Sequence, residues 1–191
     1  MKYRKLSLTL SSLAISGLVG CASVNEHAGI VVKGYTKAYG PSNAVALKPV
    51  LKPSLSFSSI NFGNGTEFLY DDDFATRWSS KGEHVWVVFD YKKPVEFNAV
   101  RLAFFKGNGR ISRFDIEVSN DGRGWTQVIS NGESSGKTDK YERFPFVTLK
   151  SRYIKFVGYG NTENIWSALT EFQAVNCNIN LCPISDLINQ N

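Results

Sequence analysis

Regular alternation of apolar and polar side chains between residues 50 and 175 is the feature that most restricts how this chain folds. Phe114, Ile116 and Val118 alternate with polar or charged residues, as in a strand that is buried on one face. The run Val85–Phe89 is apolar throughout, which predicts a strand covered on both faces. Turn sequences rich in Gly, Asn and Asp separate the segments, and helical periodicity is almost absent. The pattern favours an all-β, antiparallel sandwich over an α/β sheet.

The first twenty residues have the pattern of an export signal. Lys2, Arg4 and Lys5 precede an apolar run that is shorter than the roughly 20 residues of a membrane-spanning helix. The run ends in Leu18–Cys21, which resembles the lipobox of bacterial lipoproteins, where the cysteine thiol is acylated and cleavage occurs before it. We therefore expect Cys21 to be the lipid-modified N-terminus of the mature protein. The alternative is an ordinary signal peptide followed by an incidental cysteine.

The lipobox resemblance implies a location as well as a modification. Two or more acyl chains hold a protein stably on a membrane, whereas one holds it only marginally. Ala22 follows the cysteine, and this resembles the pattern that is sorted to the outer membrane of Gram-negative cells. We therefore expect a protein that is lipid-anchored to the bacterial outer membrane. Without the three cations of the signal, the 22 basic residues fall to 19 against 17 acidic ones, so the charge gives no argument for nucleic-acid binding.

The mature chain has room for one domain, flanked by two less regular segments. Residues 21–49 are predicted to form a tether, residues 50–175 the folded domain and residues 176–191 a polar tail. Cys177 and Cys182 lie in the tail, with four residues between them. An oxidising compartment and this spacing permit a disulfide, which we expect; a pair of free thiols is the alternative.

A set of short motifs between residues 55 and 175 narrows the fold. The segment Leu69–Ser79 holds the acidic triplet Asp71–Asp73 followed by Trp78, where a family pattern has Asp-Gly-Asp, three residues and Trp. This resembles the discoidin-like family, also called coagulation factor V/VIII C-type domains, and especially family 32 carbohydrate-binding modules. The resemblance implies an eight-stranded, jelly-roll-like antiparallel β-sandwich. Further matches follow in the family's order: Val87–Asp90, Phe114–Gly122, Trp125, Arg152–Gly158 and Thr170–Phe172.

Two loop segments make the likeness more specific. Phe105–Arg110 and Gly158–Asn161, with Trp166, are similar to the modules attached to alginate lyases of polysaccharide lyase family 7. Two departures stand out: Asp72 replaces the glycine of the acidic turn, and Tyr159 stands where histidine is common. The resemblance implies capture of a polysaccharide, such as alginate or another uronate-containing glycan.

The resemblance also implies a structural Ca²⁺ that ties the first loop to the last strand. Calcium takes several oxygen ligands from side chains and backbone in a flexible loop. A solvated acidic turn is the alternative. The ligands implied by the family are the side chains of Asp71, Asp73, Thr76 and Glu171 and the carbonyl oxygens of Phe68 and Thr170.

A sugar site needs a flat apolar face and a few polar groups, and an acidic sugar favours a guanidinium that meets its carboxylate. In the family, two inter-strand loops at one end of the sandwich supply these groups. Here the implied residues are Lys106, Asn108 and Arg110 in one loop and Tyr159, Asn161, Asn164 and Trp166 in the other. For Trp166 the alternative to ligand contact is core packing, and for Arg110 it is solvation at the surface. The alternatives for His84 are a position at the border of the site and no role in it. For Trp78, Trp86 and Trp125 we predict core packing.

No motif for catalysis is recognisable. Neither histidine lies in a nucleophile or metal motif, and the sequence has no Gly-x-Ser-x-Gly, His-Glu-x-x-His or phosphate loop. We therefore expect a monomeric, non-catalytic lipoprotein that binds polysaccharide. The alternatives are an adhesion or structural lipoprotein that binds a protein partner, and an accessory module that docks a separate polysaccharide lyase.

Overall fold

Antiparallel strands account for nearly all regular structure in the computed structural model, which describes residues 52–176. One 3₁₀ helix, Thr66–Tyr70, follows the first strand. The export signal, Cys21, the whole of the predicted tether and the Cys177–Cys182 pair lie outside the described residues. Between residues 52 and 176, no helix is long and apolar enough to cross a membrane. The strands are β1 Ser54–Phe57, β2 Trp78–Lys81, β3 Val85–Phe104, β4 Ser112–Ser119, β5 Thr126–Glu133, β6 Glu142–Asn161 and β7 Trp166–Val175.

Two long strands connect the layers of the sandwich. The strands pair in the order β2-β7-β3-β6-β4-β5, with β1 on β3, and the sheet is not closed. The first half of β3 pairs with β1 on one side and with the second half of β6 on the other. The second half of β3 pairs with β7 and with the first half of β6. A register shift between Asp90 and Val95 separates the halves. The described residues form seven strands where eight were expected, and two of the seven, β3 and β6, each continue through an irregularity as one strand of 20 residues.

Aromatic side chains fill the space between the two layers. Phe89 of β3 stacks on Phe172 of β7 with ring centroids 3.7 Å apart. Phe114 contacts Phe144 edge-to-face at 4.9 Å, and Trp78 contacts Phe156 in the same way at 6.1 Å. Such pairs add about 0.5–1.5 kcal/mol each beyond the apolar area that they bury. The Trp78 side chain is fully buried, which confirms the packing predicted for it.

The first part of β3 alternates in burial, which corrects the prediction that Val85–Phe89 is covered on both faces. Val85, Val87 and Phe89 are buried, whereas Trp86 and Val88 between them are only half-buried. The run Val85–Phe89 is therefore covered by the core on one face only, because the opposite face of this part of the sheet has no second layer over it. This leaves Trp86 on an outer surface.

Candidate functional site

The β3–β4 and β6–β7 loops meet at one end of the sandwich. Ile111 N donates a hydrogen bond to Thr162 Oγ1 at 3.2 Å, and Thr162 N donates to Ile111 O at 2.9 Å. Gly107 is required in the first loop, because a Cβ atom there would collide with the carbonyl oxygen of Thr138. The structure thus brings together the two loops on which the family resemblance places the sugar-binding residues.

Arg110 connects these loops from the inside. Its side chain is buried, and its Nε and Nη2 atoms donate to Phe105 O at 3.1 and 2.9 Å. Its Nη1 atom lies 3.6 Å from a carboxylate oxygen of the exposed Glu163. The side chain is therefore not a freely solvated arginine, because its Nε and Nη2 atoms bond to the loop backbone. Contact with a ligand stays a prediction for the Nη1 side of the group.

Cations surround the ring of Phe105. The Arg77 guanidinium lies 3.9 Å from the ring centroid, the Arg110 guanidinium 5.5 Å and the Lys106 ammonium 5.8 Å. Cations are attracted to the face of an aromatic ring, and this attraction keeps the three positive side chains close to one another around Phe105. Sequence reasoning did not assign Arg77 to the site, because it lies in the acidic-turn motif, far from both loops in sequence. The position of Arg77, directly before Trp78, gave no indication in the sequence that its side chain would reach Phe105.

The side chain of Asn161 holds the β6–β7 loop together and does not project into solvent. Asn161 is buried; its Nδ2 atom donates to Trp166 O at 2.8 Å and to Asn164 Oδ1 at 3.0 Å. Its Oδ1 atom accepts from the backbone N–H groups of Glu163 and Asn164. Asn164 is exposed, and its Oδ1 atom also accepts from Trp166 N. Asn161 therefore shapes the loop, and Asn164 presents its remaining amide group at the surface.

Tyr159 is held by a buried carboxylate. Its hydroxyl donates to Asp115 Oδ2 at 2.5 Å, and Asp115 also accepts from Gln127 Nε2 and from Asn131 N. Partial burial, followed by this hydrogen bond, raises the pKa of Tyr159 above its usual value. Its ring meets the exposed His84 ring edge-on at 4.9 Å. Tyr159 is thus a neutral, oriented ring at the border of the site.

The remaining predicted ligand residues are accessible. Lys106 and Asn108 are exposed and Trp166 is half-buried. Lys106 has a positive φ of 55°, which turns the chain sharply at the start of its loop. An aromatic surface beside several cations can bind a sugar ring that carries a carboxylate.

The acidic turn lies between the 3₁₀ helix and β2. Asp71 Oδ2 accepts from Thr76 Oγ1 at 2.7 Å, and Asp71 Oδ1 accepts from Asp73 N at 3.0 Å. Asp73 Oδ1 accepts from Ala75 N at 2.9 Å. Asp72 takes a positive φ of 59°, the conformation for which the family pattern has glycine and which aspartate tolerates better than most residues. The aspartate at this position therefore keeps the turn.

Glu171 on β7 faces this turn as a buried acid. It is fully buried, Tyr141 OH donates to its Oε2 at 3.3 Å, and its Oε1 atom receives no hydrogen bond. Burial first, and then hydrogen bonding with Asp71, raise the pKa of Glu171 to about 7. The neighbouring Thr170 Oγ1 is also buried without a hydrogen-bond partner.

These oxygen atoms fit a hard cation in part. Among residues 52–176 no group of three or more His, Cys, Asp and Glu side chains is arranged to hold a metal ion. Asp71 and Thr76 are in contact and Glu171 lies beside Asp71, while one oxygen of the Asp73 carboxylate accepts from Ala75 N. No salt bridge in the described domain neutralises Glu171. A buried carboxylate without a cationic partner is costly, and a divalent cation would supply one.

Comparison with known proteins assigns the domain. The sequence model of the F5/8 type C domain matches residues 54–172. The chain belongs to this family. The CBM32 of AlyQ, in complex with 4,5-unsaturated mannuronic acid, is 32% identical with a TM-score of 0.62, and the alignment covers 68% of this chain and 97% of that module. The comparison with curated proteins gave no match.

Two further structures support homology to carbohydrate-binding modules. A pectin-binding carbohydrate-binding module is 26% identical with a TM-score of 0.60, and the alignment covers 69% of this chain and 91% of that one. A truncated AlyQ with CBM32 and alginate lyase domains is 30% identical with a TM-score of 0.62. The alignment covers 70% of this chain but only 34% of that longer one, so the likeness is to its binding module. This F5/8 type C domain is thus homologous to modules that bind carbohydrate.

Proposed function

We propose that this protein is a non-catalytic, membrane-anchored lipoprotein that captures a uronate-containing polysaccharide such as alginate. The observation that carries the proposal is the cluster of cations around Phe105 at the end where the two loops meet. A cation within reach of an aromatic surface recognises the carboxylate of an acidic sugar while the sugar ring packs on the apolar face. The 32% identical AlyQ module was solved with an unsaturated mannuronic acid, which is such a sugar.

The accessible residues of the site would contact the glycan. Lys106 and Asn108 reach solvent from one loop, and Asn164 and Trp166 reach it from the other. Arg110 and Asn161 act mainly from beneath, because their donors hold the loops in place. In this proposal Arg77 and Lys106 supply most of the positive potential and Trp166 supplies the apolar face.

We also propose two features that accompany binding. A Ca²⁺ ion held by the side chains of Asp71, Asp73, Thr76 and Glu171 and by the carbonyl oxygens of Phe68 and Thr170 would stabilise the fold and take no part in chemistry. Acylation of Cys21 would fix the protein to the membrane and leave the domain on a tether. Detergent-phase partitioning of the full chain and of its Cys21→Ser variant tests the anchor; equal partitioning of the two would remove it.

Affinity electrophoresis of the full chain tests the main proposal. We expect retardation in gels that contain alginate, and weaker or no retardation in neutral galactan or chitin. Lys106→Gln removes an exposed cation of the site and should weaken alginate retardation several-fold, because a charge-assisted contact contributes about 1 kcal/mol or more. Lys150→Gln is the matched control, since Lys150 is an exposed lysine in the middle of β6 and outside both loops. Unchanged mobility in every polysaccharide gel would contradict a glycan-binding function.

A further inference from the structure

A second surface with sugar-binding chemistry lies on the outer face of the sheet, away from the two end loops. It is an open groove with a volume of about 580 Å³. Strands β1, β3 and β6 form its floor, and the β4–β5 loop forms its wall. None of its residues belongs to the end-loop site described above. The lining residues are Ser56, Trp86, Val88, Asp121, Gly122, Arg123, Trp125, Tyr153 and Lys155.

Three aromatic side chains make this groove unusual for an outer sheet face. Trp86, Trp125 and Tyr153 are each half-buried rather than packed in the core, which corrects the sequence-based prediction for the two tryptophans. Trp86 faces outward because its neighbours on β3, Val85 and Val87, face inward. Trp125 and Tyr153 contact each other edge-to-face at 6.3 Å. Partly exposed, mutually supported rings give the flat apolar surface on which a pyranose ring packs.

The groove contains one cation, Arg123, that has no acidic partner among the described residues. Asp121 is the acid among the lining residues, and its Oδ1 atom already accepts from Arg123 N, Gly124 N and Ser119 Oγ at 2.8, 2.9 and 3.0 Å. Lys155 pairs with Glu117 and lies 3.9 Å from the Trp125 ring centroid. Arg123 is exposed, and none of the salt bridges within residues 52–176 involves its guanidinium. A guanidinium beside an aromatic floor is complementary to a sugar carboxylate.

The groove and the end-loop site lie along the same face of one strand. Tyr153 and Lys155 of the groove and Tyr159 of the end-loop site are at alternate positions of β6, so their side chains leave the sheet on the same side. Tyr159 follows Tyr153 by six positions, which corresponds to roughly 20 Å along an extended strand. An extended polysaccharide that enters at the end loops would reach the groove by following this face.

We propose that the groove is a second binding surface, for an internal segment of the same anionic polysaccharide. Trp86 and Trp125 would pack against sugar rings, and Arg123 would pair with a carboxylate. The inference rests on the proposed function, because it takes the ligand class from the end-loop site. Two connected contacts on one molecule strengthen the binding of long chains through effective concentration, whereas a short oligomer occupies one contact at a time.

Titration calorimetry of the full chain with an alginate trisaccharide and with a long alginate fraction tests the proposal. Arg123→Glu should weaken binding of the long fraction roughly tenfold and leave trisaccharide binding unchanged. Lys106→Gln should weaken both. Lys150→Glu applies the same charge reversal outside the groove and should change neither beyond a general charge effect.

Trp125→Ala is the second variant and should resemble Arg123→Glu, with thermal unfolding recorded to verify the fold. Because Arg123 is exposed, its substitution leaves the result interpretable even where Trp125→Ala unfolds the domain. If Arg123→Glu binds the long fraction as the unaltered protein does, the groove is not a glycan surface, while the proposed function stands. If the unaltered protein binds neither alginate, the proposed function falls and takes this inference with it.

Discussion

Individual acidic residues in this domain differ in whether a cation accompanies them. Asp90 has a side chain that is 15% exposed and receives Arg152 Nε and Nη2 at 2.8 and 3.0 Å. Hydrogen bonding from Arg152, more than any other cause, holds the pKa of Asp90 well below its usual value. Glu171 is fully buried without a salt bridge, and burial raises its pKa to about 7. The first acid stabilises the fold as an anion, whereas the second is stable at neutral pH only with a proton or a cation.

The Asp90–Arg152 pair therefore makes stability depend on acid pH. A carboxyl whose pKa is lowered by folding contributes stability above its unfolded pKa of about 3.9 and loses it as the pH falls toward the folded value. We expect Asp90→Asn to lower the free energy of unfolding by about 1 kcal/mol at pH 7, because Arg152 is itself partly exposed. The gap from the unaltered protein should begin to close below about pH 4 and narrow further as the pH falls toward the folded pKa. Urea unfolding followed by tryptophan fluorescence measures both, with the exposed Asp139→Asn as control. A gap of the same size at pH 3 and pH 7 would rule out the ion pair as its cause.

At the scale of strands, the sequence correctly predicted which side chains are buried wherever apolar and polar residues alternate regularly. Phe114 and Ile116 on β4 are fully buried as their alternation predicted. The fusion of two segments into the 20-residue strand β3 was not predictable, because it depends on how β6 and β7 pair with each half. The positions of Trp86 and Trp125 were missed for a related reason. Alternation indicates that a side chain lies on one face, but not whether a second layer covers that face.

Loops were predicted in location but not in detail. The two loops that meet at Arg110 were placed correctly at one end, since the family resemblance supplied their neighbourhood. The Arg110 side chain donates to the carbonyl oxygen of Phe105, five positions earlier in the same loop. The pattern of apolar and polar residues does not predict such a contact, because it carries no information on the path of a loop backbone. The same is true of Asn161, whose side chain satisfies four groups of its own loop.

The β6–β7 loop also depends on one glycine. Gly160 has a φ of 83°, and a Cβ atom there would lie 2.6 Å from Asn164 O and 2.8 Å from Ile165 Cα. We expect Gly160→Ala to lower the free energy of unfolding by about 1–3 kcal/mol and to weaken glycan binding, because the displaced loop carries Asn164. Gly109→Ala is the matched control: its Cβ atom would have no atom within 4 Å, and it lies in the facing loop. Thermal unfolding and alginate titration of both variants measure the effect. Equal behaviour of the two variants would mean that the loop accommodates the side chain.

For the molecule as a whole, the acidic turn is the place where distant parts of the chain are held together. Asp71 precedes β2, whereas Glu171 lies on β7, and the two carboxyl groups are close enough for Asp71 to raise the pKa of Glu171. Tyr141 adds the start of β6, since its hydroxyl donates to Glu171 and its ring packs on Phe74 at 5.3 Å. Two acids in contact repel each other when both are ionised. The cohesion of this corner therefore depends on what neutralises them.

Calcium is the neutralising species that we propose, and its removal should affect the stability of the whole domain. Calcium at 100 times its dissociation constant would stabilise the folded protein by about 2.7 kcal/mol, and a chelator would remove that contribution. Glu171→Gln should abolish the response to calcium. In chelator the same variant should be at least as stable as the unaltered protein, because it replaces a buried carboxylate that has no cationic partner with a neutral amide. Calorimetric unfolding of both proteins with and without calcium gives the four values, and Asp139→Asn should keep the full response. An unfolding temperature of the unaltered protein that does not change with calcium would show that a proton, rather than a metal ion, neutralises the pair.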